Sequence, residues 1–355
     1  MKSNVYFVKL KADDLKEKVA ALGRLIGAID PFSKYKDDEV IPVKITIGDS
    51  QCVYNIPPEL VKAVIAELKK KKTKPFLFDT NVIYKGGRQN AVDHLTLANN
   101  KGFAHSKVGA PFIIADGLFG QDGKEYAIKS NYLNKIKVPS FVGMLDSLVV
   151  LSHVTGHVVA GYAGAIKNVA MGISCRSTKQ IQHSSLKPSV MKDKCTACGC
   201  CIDICPVSAI SWEDERAFID TSVCIGCGEC LCACKFDAIG VNWEEDALIF
   251  CKRMVETAGL VLSKFKNKFF INFAFDITKE CDCISTKNEK IISKDFGILA
   301  SLDILSLDKA TVDLLNKDGD IFLKAQGRNE HNEMLEYAYK KGLGNLEYDL
   351  KTIQL

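Results

Sequence analysis

The stretches CTACGCCIDICP (195–206) and CIGCGECLCACK (224–235) are two copies of one pattern. Cys195-x2-Cys198-x2-Cys201-x3-Cys205 returns 29 residues later as Cys224-x2-Cys227-x2-Cys230-x3-Cys234, and Ala209-Ile210 returns as Ala238-Ile239 at the same offset. Ten of the 15 cysteines of this 355-residue chain fall within 190–243. That stretch carries four basic against eight acidic residues, inside a chain whose net charge is +4. An acidic, cysteine-rich repeat in a basic host reads as an insertion. The expected organisation is a host in two parts, 1–189 and 244–355, around an inserted module at 190–243.

The chain is 47% apolar and 25% charged, values of an ordinary globular protein rather than a disordered or fibrous one. Its mild charge gives no argument for nucleic acid. The most apolar stretch, 141–173, is broken by Asp146, His153, His157 and Lys167, so no membrane span is expected. MKSNVYFVKL (1–10) lacks the apolar core of a secretion signal. An odd number of cysteines in a long chain does not suit a disulfide framework. The expectation is a cytoplasmic protein whose thiols stay reduced because they bind metal.

The doubled spacing is that of bacterial ferredoxins, in which three cysteines wrap one 4Fe–4S cluster and the fourth reaches across to the other. It assigns Cys195, Cys198, Cys201 and Cys234 to one cluster, and Cys224, Cys227, Cys230 and Cys205 to a second. Gly199, Gly226 and Gly228 relieve the tight turns between ligands. Zinc also binds paired Cys-x2-Cys motifs, but it needs four thiolates rather than a doubled three-plus-one set. Lys235 stands where the first repeat has Pro206 and removes no ligand. Cys200 and Cys232 read as packed thiols between ligands, and Cys52 and Cys251 as core thiols.

The host alternates strands and helices. Val5–Lys9, Glu39–Ile47, Lys74–Asp79, Pro111–Asp116, Ser147–Ser152 and Phe269–Phe273 have strand character. Helical spacing runs through Asp13–Ile29, with Asp13 or Asp14 as cap, and through Pro57–Lys71, Ala91–Asn100, Ala247–Leu262, Asp308–Leu315 and His331–Lys341. The expected fold is α/β: a parallel or mixed sheet with flanking helices, carrying an inserted ferredoxin-like α+β module. Ligands of such sheets sit beyond the carboxyl ends of the strands. Asp79, Asp116 and His153 fall there.

AVDHLTLANNKGF (91–103), PFIIADGLFG (111–120), LSHVTGHVVAGYAGAIKNVAMG (151–172), FINFAFDITKECDC (270–283), DFGILASLDILSLDKATVDLLN (295–316) and LGNLEYDL (343–350), with the two cysteine motifs, resemble the DUF362 family. The likeness is to its branch of uncharacterised iron–sulfur centre proteins. It implies an α/β host with a ferredoxin insert and no agreed reaction. His157-Val-Val-Ala-Gly161-Tyr-Ala-Gly164-Ala-Ile-Lys167, followed by His183 and preceded by Asp116-Gly117, resembles more faintly the motif of the lactate racemase superfamily. That resemblance implies a site at these positions, not the superfamily's nickel pincer cofactor.

Three of the six histidines, His153, His157 and His183, cluster around Lys167. Imidazole serves as acid, base or metal ligand near neutral pH; the alternative is a set of polar residues satisfied beside a turn. Lysine among histidines can be depressed in pKa and nucleophilic, or can pair with an anionic substrate. His153, His157, Lys167 and His183 are expected to converge near Asp79 and Asp116. Cys281 and Cys283 share a face in extended chain and are candidates to grip one further metal ion of unspecified identity, with Cys175, a histidine or an outside group completing it. The alternative is a plain reduced pair.

Three functions follow from these readings. The first is a redox protein of anaerobic-type metabolism whose two clusters pass electrons to or from a substrate or metal site in the host, with a partner protein or small molecule as the other party. The second is a dedicated electron carrier without chemistry of its own. The third is a racemase-like enzyme whose clusters are structural or regulatory.

Overall fold

SLVVLSH (147–153) forms the centre of the molecule, and all seven residues are buried. Leu148 and Val150 pack into one apolar cluster, Val149 and Leu151 into another. Successive side chains of a strand point to opposite faces, so this strand is covered on both sides, as parallel strands are. The computed structural model describes residues 2–11, 14–84, 86–183, 187–224, 230, 233–234, 236, 238–241 and 247–354.

Eight strands build the central sheet: β1 (Ser3–Lys9), β2 (Val40–Lys44), β3 (Lys74–Asp79), β4 (Phe112–Ile114), β5 (Ser147–His153), β6 (Asn267–Ala274), β7 (Gly297–Ser301) and β8 (Tyr348–Ile353). Their order is β8-β1-β7-β6-β5-β2-β3-β4. Only β7 runs against its neighbours, antiparallel to β1 and β6; the other adjacent pairs are parallel. The fold is therefore α/β with a mixed, mainly parallel sheet. Helices α1 (Leu15–Ile29) and α2 (Pro58–Lys70) cover one face. The other is covered by α3 (Ala165–Gly172), α4 (Ala247–Leu262), α5 (Ile304–Leu315) and α6 (His331–Lys340). No helix among the described residues is long and apolar enough to cross a membrane.

Local chemistry explains the helix ends. Asp14 caps α1 by accepting from the Lys16 amide, while Asp13 lies outside the described residues. Pro58 opens α2, where a missing N–H costs nothing. Helix α5 starts at Ile304, four residues before the expected Asp308, because Asp303 accepts from the Leu305 and Ser306 amides at 2.9 and 3.0 Å. Strands β7 and β8 were not expected. GILAS is a short apolar run whose period does not separate strand from helix, and YDLKTI is a half-exposed edge strand.

Within the cysteine-rich segment, Pro188–Val190 pairs antiparallel with Ile239–Val241, bringing the two ends of the segment side by side. Ile210–Glu213 and Arg216–Ile219 form a hairpin. Cys201, Ile210, Ala217, Ile219, Cys230 and Ile239 make a small core of their own.

Candidate functional site

Helix α3 starts at Gly164, which has no side chain with which to cap it. Asp308 of α5 supplies the cap from outside: its carboxylate accepts from the Ala165 and Ile166 amides, each at 2.9 Å. The same carboxylate accepts from the Tyr162 hydroxyl at 2.9 Å and the Asn272 amide at 2.8 Å. A Cβ at Gly164 would stand 2.0 Å from the Tyr162 oxygen, so only glycine fits. One turn on, Asn168 donates to the Leu151 carbonyl and the Ser152 hydroxyl, and its own carbonyl accepts from Lys44 at 2.9 Å. These bonds fix α3 over the carboxyl ends of β2 and β5 and set the direction of Lys167.

Lys167 lines a cavity of about 450 Å³ at those strand ends. Asp79, His153, His157, His183, Cys281 and Cys283 line it too. Asp116 and Cys175 do not line it. Asp116 is fully buried beside the cavity, accepting from the Asn81 backbone and side-chain amides at 2.9 and 3.0 Å. Cys175 packs with its sulfur 3.6 Å from the Asp122 carbonyl.

The residues that come together play different parts. His153 engages both ring nitrogens, Nδ1 with Asp282 at 2.8 Å and Nε2 with the Phe275 carbonyl at 2.9 Å. Burial would favour the neutral ring, but Asp282 dominates and raises the pKa. His153 thus acts on the cavity by holding Asp282, the residue between the two cysteines. His157 is the reverse case. Burial, with the charges of Lys167 and His183, holds it well below the usual imidazole range. Its Nδ1 accepts from the Val159 and Ala160 amides, both at 3.1 Å, which puts the proton of the neutral ring on Nε2. The rings of His157 and His183 both lie against Phe250, centroids 5.5 and 4.6 Å away.

Lys167 Nζ lies 3.7 Å from the Cys283 sulfur. Burial pulls its pKa down, but Cys281 and Cys283 outweigh burial and raise it. Of the two readings of Lys167, a depressed nucleophile or a cation that pairs with an anion, the raised pKa favours the second. The interaction between the two thiols pushes Cys281 up and Cys283 well down; Lys167, Arg88 and the Tyr84 hydroxyl add to the drop at Cys283. Of the two thiols, Cys283 is the one that its surroundings favour as a thiolate. Among the described residues no three His, Cys, Asp or Glu side chains gather as a single metal ion requires.

Asp79 is held by three basic side chains: the cations Lys44 at 3.0 Å and Arg88 at 3.7 Å, and the His94 ring at 3.6 Å. Burial would raise its pKa, but these partners keep it well below the carboxylate range. Lys44, Tyr84, Arg88 and Asn168 were absent from the expected site. Lys44 left a signal, as a lone charge in the apolar strand VIPVKITI (40–47). The others sit in loop or helix patterns that read as ordinary.

In the inserted segment, Cys195, Cys198, Cys201 and Cys234 line one small cavity. The Ala209 amide donates to Cys205 Sγ at 3.2 Å, and in the second repeat the Ala238 amide donates to Cys234 Sγ at 3.3 Å. Cys205 and Cys224 pack against the small core that contains Cys230. Cys227 and Cys232 lie outside the described residues.

Over short segments the chain is similar to a putative electron transport protein, YsaA, of Escherichia coli strain K12, 43% identical over 61 residues, 15% of this chain and 39% of that one. It is also similar to the pyruvate synthase subunit PorD of Methanothermobacter marburgensis, 39% identical over 72 residues, 20% of this chain and 85% of that one. The chain spans only 8% to 39% of the length of four curated relatives, the E. coli protein among them. Among solved structures, the lactate racemase apoprotein from Thermoanaerobacterium thermosaccharolyticum matches over 76% of this chain and 51% of its own, at 12% identity and a TM-score of 0.42. The family model described as a domain of unknown function, DUF362, matches residues 41–313, and the chain belongs to that family.

Proposed function

We propose that the chain is an iron–sulfur redox protein in which two 4Fe–4S clusters exchange electrons with the cavity of the α/β host. The observation that carries this reading is the cavity lined by Cys195, Cys198 and Cys201 of the first repeat together with Cys234 of the second. Crossed ligation demands that set. A lone zinc ion would instead draw four sulfurs to about 2.3 Å from one centre. The set Cys224, Cys227, Cys230 and Cys205 would hold the second cluster. The Ala209 and Ala238 amides sit where they would stabilise thiolates facing iron. Bound clusters supply one-electron transfer.

The names of the relatives, an electron transport protein and a synthase subunit, favour the same role. The other party is a redox partner protein or a small molecule. A carrier without chemistry of its own would have no use for a second cavity that gathers histidines, a lysine and two thiols. The test is anaerobic purification followed by iron, sulfide and zinc analysis, with electron paramagnetic resonance of the reduced protein. About eight iron and eight sulfide per chain are expected; stoichiometric zinc, or half that iron, overturns the two-cluster reading.

A further inference from the structure

Cys281 and Cys283 are unlike the cysteines of the insert. They lie in a loop of the host, with one residue between them, and both line its cavity. The loop is held firmly. The Ile284 and Ser285 amides donate to the Cys281 carbonyl at 3.0 and 2.9 Å, the Asp49 amide donates to the Asp282 carbonyl at 3.1 Å, and His153 grips the Asp282 carboxylate. Around Cys283 the polar groups are donors: the Lys167 ammonium, and the Tyr84 hydroxyl, which itself accepts from Arg88 at 2.9 Å.

We propose that Cys281 and Cys283 are a redox-active dithiol that exchanges with small anionic disulfides entering the host cavity. This goes beyond the cluster reading and does not depend on it. Cys283 is the attacking sulfur, because Lys167 and the Tyr84 hydroxyl stabilise its thiolate, and Cys281 is the resolving sulfur. The Cys283 thiolate forms a bond to one sulfur of the incoming disulfide. The incoming S–S bond breaks, and the first half leaves as a thiolate that takes a proton from solvent. Cys281 then attacks the Cys283 sulfur of the mixed disulfide and gives its proton to the second leaving thiolate. The protein dithiol is oxidised by two electrons to an internal Cys281–Cys283 disulfide, and the small disulfide is reduced to two thiols. Charge selects the ligand. Lys167, Arg88, Lys179 and Arg328 line the cavity against Asp79, Asp282 and the Cys283 thiolate; Asp79 is matched by Lys44 and Arg88, Asp282 by His153 and Arg328 by Glu330, which leaves the lining with an excess of positive charge.

The experiment uses the full chain, purified anaerobically with its metal content intact. It is incubated with dithiodipropionate, a dianion, or with cystamine, a dication of similar size. The reaction is quenched in acid, free thiols are alkylated, and the tryptic peptide 280–287 is weighed. The expected result in the unaltered protein is a peptide without alkyl groups and lighter by two hydrogens. The dianion is expected to produce it roughly tenfold faster than the dication, as clefts of one sign concentrate opposite charge. Cys281→Ser is expected to stop at a mixed disulfide on Cys283, and Cys283→Ser to form none. A peptide that takes two alkyl groups after either disulfide overturns the proposal, and so do equal adduct yields from the two variants. A faster reaction with cystamine overturns the assignment to anionic disulfides. Absorbance of the cysteine-rich segment's metal centres, followed in parallel, is expected to stay constant, since the exchange is confined to the host; its loss alongside peptide oxidation overturns that confinement.

Discussion

Lys167 Nζ stands 3.7 Å from the Cys283 sulfur across a separation of 116 residues. The contact joins the first turn of α3 to the Cys-x-Cys loop after β6, so two features that look unrelated along the chain form one site. An ammonium and a thiolate in a buried cavity stabilise each other's charged forms. Each is less available to titrate than it would be alone.

The reactivity of Cys283 should therefore depend on Lys167. In the unaltered protein, iodoacetamide labelling of the 280–287 peptide should reach half its maximal rate well below the pH of about 8.5 at which a free thiol does so. Lys167→Met should move that midpoint upward by roughly 1–3 pH units, the range for loss of an adjacent opposite charge. Iron content should not change. An unmoved midpoint would mean that Cys281, Arg88 and the Tyr84 hydroxyl sustain the thiolate without Lys167.

Asp308 organises the wall that carries Lys167. Asp308→Ala removes the acceptor for two helix amides, one hydroxyl and one side-chain amide, all buried. Leaving buried donors without a partner costs about 1–3 kcal/mol each, reduced where they find new partners. A loss of roughly 3 kcal/mol or more is expected in urea unfolding of the host. Gly164→Ala should be destabilising through the same place, because its new methyl carbon would collide with the Tyr162 oxygen and the Asp308 carboxylate. Neutral behaviour of both variants would remove Asp308 from its organising role.

Asp116 gives the host a pH dependence of its own. Burial pushes its carboxyl up to about 7, against the opposing pull of Lys179 and the Asn81 amide. A carboxyl with a raised folded pKa contributes stability that is fully present below its unfolded pKa of about 4, and loses it as pH climbs towards 7. Asp116→Asn keeps an acceptor for Asn81 and cannot ionise. The stability of the variant relative to the unaltered protein should rise by roughly 2–4 kcal/mol between pH 4 and pH 8, by the same linkage. Denaturant unfolding at a series of pH values measures this, and a difference that stays flat would place the Asp116 pKa in the ordinary range.

Much of the host and its site is legible in the chain. SLVVL (147–151) announces a strand covered on both faces, and Asp79 and His153 stand at strand ends because βα alternation places them there. The gathering of His153, His157, Lys167 and His183 with Asp79 around one cavity follows from local pattern plus the strand-end rule. What one sequence conceals is pairing across distance. Asp308 reads as the start of a helix, and its use as the cap of a different helix depends on α5 lying beside α3. The contacts of Cys283 with Lys167, and of His153 with Asp282, likewise arise only when β5 and β6 lie side by side. Residue spacing carries no trace of them.

The crossed ligand sets give the sharpest prediction. Cys195 and Cys234 lie in different repeats yet line the same small cavity, while Cys205 of the first repeat is assigned with Cys224, Cys227 and Cys230. If each cluster draws its fourth thiolate from the other repeat, Cys195→Ala and Cys234→Ala should damage the same cluster, and Cys205→Ala the other. Reduced samples of the first two variants should share one residual paramagnetic spectrum, and the third should show its complement. Each single variant should lose about four iron, the content of one cluster. Alanine is used because a serine oxygen can still ligate iron. The discriminating comparison is Cys205 against Cys195: identical residual spectra from these two would show that each repeat holds its own cluster. Chelation of the residual iron should then destabilise the inserted segment while leaving the urea midpoint of the host in place, because a metal site built by folding couples most strongly to the segment that forms it.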